Sequence, residues 1–391
     1  MKLQIFFLLC MVTLSVFETD LYLASLPSIA TNFNCAQSFA HNSLSIYLLS
    51  FAISVLFAGP LSDRFGRKKT FLIGLAVDII GSILIFFTPY SSLFLLGRAF
   101  QGVGGCCGSV FSRVISKELF PPKKGMQVLT YLYIAISLSI AITPALGGFI
   151  EGISGWRSNI VFLALFQITI WIGCYAYIPE TNKDQKSSLS LASIYQNALT
   201  ALSLKDFRYY SLLIAIAWSG FFIYVSASSF LFIEWFKKTP FEFGILFALT
   251  ISGMTFGSLF AGRLFSYFSL KNTFLIGVVL LNIAGLLLFL PLKSCAGFCI
   301  YMLIYLMGTG ILLSSCQMQI TLYRKELISS LFSFFIFFQM LGASIGDFIL
   351  SLTSSALIAP YLISICALSS LFLHLLMSRK EIYQRTELYR E

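Results

Sequence analysis

Five ionisable residues lie inside long apolar stretches of this sequence. They are Glu18, Asp20, Asp78, Arg98 and Asp347. A charged side chain near the centre of a bilayer costs about 2.5–3.5 kcal/mol on insertion scales, so such residues usually face a cavity or one another. Buried acids can take up and release protons, and a nearby arginine can exchange ionic partners. These residue types therefore indicate proton or ion transfer inside an apolar medium.

The first apolar stretch carries two of these acids, Glu18 and Asp20. Their spacing of two residues separates them by about 200° around a helix, so they point to different sides. Tyr22 and two serines share the side of Glu18, which makes that side the more polar one. A helical rise of about 1.5 Å per residue places Arg98 at about the same depth as both acids. The residues alone favour Glu18 as the cavity-facing acid, but either acid could meet Arg98.

Two hypotheses follow for this group. In the first, one carboxylate of the first span cycles between its protonated and charged forms, and a proton competes with a cationic substrate for it. In the second, an acid and Arg98 form a permanent pair that only holds helices together. Asp78 lies deeper, about 16 Å from the outer helix end, and Asp347 lies in a later span. Their roles stay open.

The composition sets the element type that must position these residues. The chain has 391 residues, of which 58% are hydrophobic and 11% charged. Soluble proteins carry about 25% charged residues, so this is an integral membrane protein. A spanning helix needs about 20 apolar residues. The sequence predicts an all-α membrane protein with twelve transmembrane helices, at residues 3–26, 42–61, 70–89, 91–112, 127–150, 157–178, 209–233, 243–262, 273–292, 297–320, 328–353 and 356–377.

The cations are distributed unevenly over the connecting segments. With the N-terminus inside, 21 of the 26 Lys and Arg residues fall on the cytoplasmic side. The positive-inside rule then predicts that both termini are cytoplasmic. The net charge of +10 is thereby explained by topology, and no nucleic acid partner is expected. The first apolar stretch is interpreted as a retained span rather than a cleaved signal peptide, because acids interrupt it.

The longest connection divides the chain into halves. We predict an N-terminal six-helix bundle at 1–178, a cytoplasmic linker at 179–206 and a C-terminal six-helix bundle with a short tail at 207–391. Within the linker, residues 189–202 are weakly amphipathic, which favours a helix along the membrane surface. Two repeated bundles around a midplane site are typical of secondary transporters.

Residues 59–69, Gly-Pro-Leu-Ser-Asp-Arg-Phe-Gly-Arg-Lys-Lys, form a charged turn between two apolar stretches. A related segment after Ala261-Gly262-Arg263 has Ser266 where the first has Asp63. A turn that served topology alone would need cations but no acid. We therefore predict that Asp63 and Arg67 latch the two halves of the molecule.

Two further patterns concern packing and substrate. The glycines from Gly102 to Gly108 lack a preceding strand, so close helix packing is expected rather than a nucleotide loop. Aromatic residues of the seventh span suit a lipophilic or cationic substrate. The candidate cavity residues are Tyr22, Gln101, Trp218, Phe222 and Tyr224.

These motifs together resemble the major facilitator superfamily, and within it the twelve-span drug:proton antiporters of the bicyclomycin-resistance (Bcr/CflA) type. The charged turn is similar to the superfamily's motif between the second and third spans, and its motif residues are Gly59, Asp63, Arg64, Gly66, Arg67 and Lys68. Asp20-Leu-Tyr22-Leu-Ala24-Ser-Leu26-Pro27 resembles the subfamily's first-span motif, with Ala24 replacing a proline. Arg98 and Gln101-Gly102 match the fourth-span pattern. Pro144, Gly147 and Gly148 resemble the fifth-span antiporter motif, with Thr143 where glycine is usual.

The resemblance implies a function. It favours Asp20 over Glu18 as the residue that couples proton and substrate, which conflicts with the polarity of the Glu18 side. It implies a monomeric inner-membrane transporter that exports small organic compounds in exchange for protons by alternating access. Protons would be the coupling ion, with no other cofactor, no metal and no catalytic residues, so no enzyme is expected. A siderophore or metabolite exporter, a proton-coupled importer and a non-transporting receptor remain alternatives, and Thr143 keeps the importer open.

Overall fold

The computed structural model describes residues 1–182, 191–290, 294–323, 325–353 and 355–377. Throughout these ranges the regular structure is helical, without a strand, which confirms the predicted fold class. Ten of the described helices are long and apolar enough to cross a membrane. The chain is thus a multi-pass membrane protein. Some of the cations counted above lie outside the described residues: Lys183, Lys186, Lys293, Arg324, Arg379, Lys380, Arg385 and Arg390.

Contacts within the chain divide it into two compact units. The first comprises Met1–Ser190 with Lys237–Ile245, and the second comprises Leu191–Phe236 with Leu246–Glu391. The domain limits inferred from the sequence stay a prediction, since residues 183–190 of the linker are not among the residues that the structure describes.

Seven main helices lie in the described residues of the first unit. These are α1 (Lys2–Asp20), α2 (Leu26–Asn32), α3 (Gln37–Phe65), α4 (Arg67–Phe87), α5 (Ser91–Leu119), α6 (Pro122–Ser154) and α7 (Trp156–Tyr177). The predicted first span corresponds to α1 and α2, which a short 3₁₀ turn at Leu23–Ser25 separates. Positive φ angles at Gly66 and Gly155 allow α4 and α7 to begin directly after the preceding helix ends.

The second unit contains the remaining described helices, except that residues 240–245 belong to the first unit. They are α8 (Leu191–Ser203), α9 (Lys205–Ser229), α10 (Pro240–Tyr267), α11 (Leu270–Leu288), α12 (Cys295–Ile320), α13 (Lys325–Ser351) and α14 (Ala359–Met377). A π-helical turn at Phe230–Trp235 extends α9. Side chains of Ser269 and Ser294 cap the first turns of α11 and α12 by accepting backbone N–H bonds. The helix predicted in the linker is α8.

Helix α5 lies at the centre of the first unit, because α1, α3, α4 and α6 all pack on it. Gly102 contacts the backbone carbonyl of Tyr47, and Gly108 contacts that of Met11. A side chain at either glycine would collide with the neighbouring helix backbone. This confirms that the glycines of this helix serve close packing.

In the second unit α9 has the same central position, with α12, α13 and α14 packed around it. Gly342 of α13 lies against the backbone of Ala215, and Gly346 lies against Ser219. Glycine again permits the close approach of two helices.

The charged turn is shorter than the sequence predicted. Helix α3 continues through Pro60 to Phe65, and Gly66 alone connects it to α4. Proline at this position removes one backbone hydrogen bond but does not end the helix here. Residue 61, where the predicted second span ends, therefore lies inside a helix that continues for one further turn.

Candidate functional site

The first span breaks immediately after Asp20. Helix α1 ends there, and the chain passes through a turn and the 3₁₀ segment before α2 begins. Gly147 of α6 contacts the carbonyl of Leu21 at this break. Asn159 of α7 donates to the Gly147 carbonyl at 3.1 Å and to Ser25 Oγ at 2.9 Å. The break is thus fixed by two neighbouring helices.

The other residues of the antiporter-like motif lie beside this contact. Pro144 lies inside α6, which is helical on both sides of it. Gly148 contacts the carbonyl of Pro240, in the segment Lys237–Ile245 that belongs to the same compact unit. Thr143, which stands where the motif usually has glycine, is fully buried, and its hydroxyl has no hydrogen-bond partner in the described chain.

Glu18 lies in a closed pocket between α1, α3, α4 and α5. Its side chain has no exposed surface. Tyr47 of α3 donates to Glu18 Oε2 at 2.9 Å. Gly105 of α5 lies directly against the same oxygen. Asp78 of α4 interacts electrostatically with Glu18 and lies against the adjacent glycine, Gly104, so the two acids are neighbours.

A chain of hydrogen bonds connects Asp78 with Arg98. Gln167 Nε2 donates to Asp78 Oδ1 at 2.6 Å, and Ser82 Oγ donates to Gln167 Oε1 at 2.7 Å. Gln101 Nε2 donates to Ser82 Oγ at 2.8 Å. Arg98 Nη1 then donates to Gln101 Oε1 at 2.5 Å. All five side chains are 0–1% exposed. Helices α4, α5 and α7 are thereby joined through one buried polar network.

Arg98 is held mainly by carbonyl and ring contacts. Its Nη1 donates to the backbone carbonyl of Glu18 at 3.0 Å. Its guanidinium carbon lies 4.2 Å from the ring centre of Tyr22 and 4.7 Å from that of Tyr47. Cation–π contacts of this kind stabilise a buried cation where water is absent. In the described chain its Nε and Nη2 atoms have no hydrogen-bond partner.

The two acids of the first span have separate surroundings. Asp20 is 8% exposed and lies at the last residue of α1. Among the described side chains, no ion pair joins it to Arg98. The structure therefore brings Glu18, Asp78, Arg98 and Gln101 together and places Asp20 outside their network. Which acid carries the coupling proton stays a prediction.

The candidate residues of the second unit are buried in α9 and α13. Trp218 lies 5.1 Å from Phe221 and 6.4 Å from Phe222 between ring centres. Its indole nitrogen has no hydrogen-bond partner within the described ranges. Tyr224 is bonded to Thr250 at 2.5 Å and is fully buried. Asp347 is also fully buried.

The charged turn forms a compact ionic cluster within the first unit. Arg67 pairs with Asp63 at 2.5 Å and with Glu118 of α5 at 3.2 Å. Glu180 accepts the backbone N–H groups of Arg67 at 2.8 Å and of Lys68 at 3.1 Å. The carboxylate thus satisfies free donors at the start of α4, where the helix dipole favours an anion.

Side-chain contacts complete this cluster. Lys68 Nζ donates to the Tyr175 carbonyl at 2.7 Å, and Asn182 Nδ2 donates to the Asp63 carbonyl at 2.9 Å. Arg64 lies over the ring of Phe65. By contrast, no atom of the described residues lies within 4 Å of the position that a Cβ at Gly59 would occupy. Glu118, Glu180 and Asn182 were not expected from the sequence, although the Pro179-Glu180 pair directly follows the sixth predicted span.

The comparison with known families decides the identity of this fold. The sequence model described as Major Facilitator Superfamily matches residues 8–347. The chain belongs to the major facilitator superfamily. It is a transporter and not an enzyme.

Several bacterial members of this superfamily are similar to the chain. Multidrug resistance protein D of Escherichia coli is 25% identical over 73% of this chain and 71% of its own length. An uncharacterized transporter of Rickettsia bellii is 33% identical over 67% of this chain and 65% of its own length. The bicyclomycin resistance protein homolog of Haemophilus influenzae is 25% identical over 72% and 71%. These relatives confirm the family resemblance and are consistent with an inner-membrane location.

Solved structures agree in fold. A D-xylose-proton symporter superposes with a TM-score of 0.74 at 15% identity, covering 94% of this chain and 96% of the symporter. A bacterial homologue of the lysosomal transporter Spinster gives a TM-score of 0.73 at 13% identity, over 99% and 97%. At such low identity the likeness concerns the fold alone.

Proposed function

We propose that this transporter exports small organic compounds in exchange for protons, by alternating access, as a monomer with both termini in the cytoplasm. The observation that carries the proposal is the placement of two fully buried acids beside Arg98. Asp78 is linked to Arg98 through a chain of hydrogen bonds, and Arg98 donates to the backbone carbonyl of Glu18. Ionisable groups inside membrane helices commonly serve proton relays in transporters. The multidrug and bicyclomycin resistance relatives support export of toxic compounds.

A lipophilic or cationic substrate suits the second unit. The rings of Trp218, Phe221 and Phe222 form one aromatic cluster. Aromatic faces bind cations as well as apolar surfaces. The indole N–H of Trp218 is a donor that the described side chains leave without an acceptor. A substrate that carries both an apolar ring and an acceptor atom would use both features.

Import is the second candidate, because Thr143 departs from the antiporter motif at a buried position. The Thr143 hydroxyl has no hydrogen-bond partner in the described chain. Such an unpaired buried group distinguishes this helix from that of exporters with glycine at this position, which favours a different conformational cycle. A siderophore or metabolite exporter would share the proton network and differ in substrate only.

The test begins with growth of cells with and without the gene on a panel of toxic compounds that includes lipophilic cations. A compound that inhibits only the cells without the gene is then used in inverted vesicles with an imposed pH gradient. If the protein is an exporter, the compound accumulates inside these vesicles, and the accumulated compound is lost when the pH gradient is dissipated. Uptake into intact cells would favour the importer. Binding without transport in proteoliposomes would favour a receptor.

A further inference from the structure

We propose that the coupling proton is held between two carboxyl groups, Glu18 of α1 and Asp78 of α4, and not on Asp20 alone. The inference rests on the proposed proton-coupled transport and assigns its proton-binding site. It also gives a role to Asp78, which no sequence motif singled out.

Two buried acids lie side by side in this pocket. Both side chains have no exposed surface, so bulk water does not reach them. They lie against adjacent glycines of α5, Asp78 against Gly104 and Glu18 against Gly105. An ionised carboxylate is an acceptor only, whereas a protonated one supplies an O–H donor. Two neighbouring carboxyl groups can therefore bond to each other only when at least one of them keeps its proton.

The remaining hydrogen bonds indicate where that proton lies. Glu18 Oε2 accepts from Tyr47, and Asp78 Oδ1 accepts from Gln167. In the described chain, Glu18 Oε1 and Asp78 Oδ2 have no donor of their own. These two oxygens are thus the pair that one shared proton would satisfy.

Two adjacent glycines of α5 hold the acids in place. Gly104 lies against the side chain of Asp78, and Gly105 lies against that of Glu18. A Cβ atom at either position would occupy space that the carboxyl groups now fill. The two glycines therefore leave the space that two carboxyl groups occupy, and both acids fit into the pocket.

The release step leaves two charges that need compensation. When the pocket opens to water, the shared O–H bond breaks, the proton passes to water, and two carboxylates remain. The titratable or charged groups that face the pair from neighbouring helices are Tyr47 of α3 and Arg98, Cys106 and Cys107 of α5. Arg98 is the cation among these described groups, and its Nε and Nη2 have no partner. Its positive charge stabilises the new carboxylate, while its Nη1 keeps the contact with the Glu18 carbonyl.

The proposal is tested by infrared titration of the purified full-length chain in liposomes, in H₂O and D₂O. A protonated carboxyl gives a C=O stretching band that shifts in D₂O, and its area counts protons without any substrate. The variants are Glu18→Gln, Asp78→Asn and the double variant. Their amides can donate to the remaining acid, which then needs no proton. Asp20→Asn and Asp347→Asn are the matched controls, since each removes another buried acid.

One shared proton predicts a non-additive result. In each single variant the area of the carboxyl C=O band falls by the amount expected for one proton. In the double variant the area falls by the same amount and no further. The control variants Asp20→Asn and Asp347→Asn keep the band area that the Glu18–Asp78 pair contributes. Additive losses would show two independent acids, and an unchanged band in both single variants would show that the pair holds no proton. Either result overturns the proposal, as does loss of this band in Asp20→Asn.

A transport measurement separates this inference from the proposed function. Ethidium, a lipophilic cation, is used as the probe in vesicles. We expect Glu18→Gln and Asp78→Asn to lose accumulation driven by a pH gradient and to keep exchange of labelled for unlabelled ethidium. Loss of both activities in variants that still fold would overturn the proton role. If the wild-type chain transports neither ethidium nor any compound of the growth panel, the exporter proposal fails, while the infrared result still decides the carboxyl pair.

Discussion

The amide of Gln167 donates a 2.6 Å hydrogen bond to Oδ1 of Asp78, whereas Oδ2 of the same carboxyl has no hydrogen-bond partner in the described chain. Gln167 also accepts from Ser82, so a single side chain of α7 orients two groups of α4. We predict that Gln167→Leu lowers the apparent unfolding temperature in detergent. The reason is that each buried group left without its partner costs about 1–3 kcal/mol.

Thr169→Val on the same helix is the matched control. Thr169 is exposed, and its hydroxyl donates only to the carbonyl of Leu165 within α7. Equal unfolding temperatures for the two variants would contradict the structural role of Gln167.

We predict that Gly105→Ala disturbs the site more than a typical glycine substitution does. The new methyl group would meet the carboxylate of Glu18 and the hydroxyl of Tyr47, so one of them must move. Gly152→Ala is the control, because no atom in the described part of the chain lies within 4 Å of a Cβ at that position. Alanine there gains about 0.5–1 kcal/mol of helix stability over glycine. Thermal unfolding and the carboxyl infrared band are measured for both, and a Gly105→Ala band identical to that of the wild type would refute the tight fit.

We predict that Asp63→Asn reduces transport while membrane insertion and thermal stability stay close to those of the wild type. The Asp63 side chain is 46% exposed, and exposed ion pairs contribute only about 0.2–1 kcal/mol. A large transport defect would therefore reflect the latch predicted from the sequence rather than unfolding. Lys238→Gln removes another exposed i,i+4 pair, with Glu242, and serves as the control. Transport of a compound from the growth panel is the readout, and equal rates for both variants would reduce the charged turn to a topology signal.

We predict different effects for the two motif glycines of the charged turn. Gly66 has a φ angle of +95°, and a side chain there would also meet Glu180. Gly66→Ala should therefore lower thermal stability, since a backbone with φ 95° and ψ 150° is essentially restricted to glycine and costs other residues about 1–3 kcal/mol. Gly59→Ala should not, because Gly59 is helical and has open space beside it. A comparable drop in unfolding temperature in both variants would contradict the turn geometry.

Much of the fold could be predicted from hydropathy alone. Each predicted span corresponds to a described helix, because an apolar stretch in lipid must satisfy its backbone internally. Helix ends were less accurate. The sequence predicted a charged turn from residue 59 onwards, but α3 continues beyond the apolar stretch to Phe65. Hydropathy indicates which residues lie in the lipid core, but it does not indicate where a helix that continues into water ends.

The candidate site was predictable only in part. Spacing showed that Glu18 and Asp20 point apart, but it could not show which of them faces Asp78. That choice depends on the rotation of α1 against α4, which the glycines of α5 determine. The role of Glu180 was likewise hidden, because its contact with the start of α4 joins segments that are more than a hundred residues apart.

The backbone contacts of α5 have a consequence for motion in the first unit. Where Gly102 and Gly108 contact neighbouring carbonyls, no flexible side chain lies between the helices that could be compressed or re-oriented. Sliding of α1 or α3 along α5 would require whole helices to separate first. We therefore expect these three helices to move together, so that a displacement of one helix also displaces the acids that the others carry.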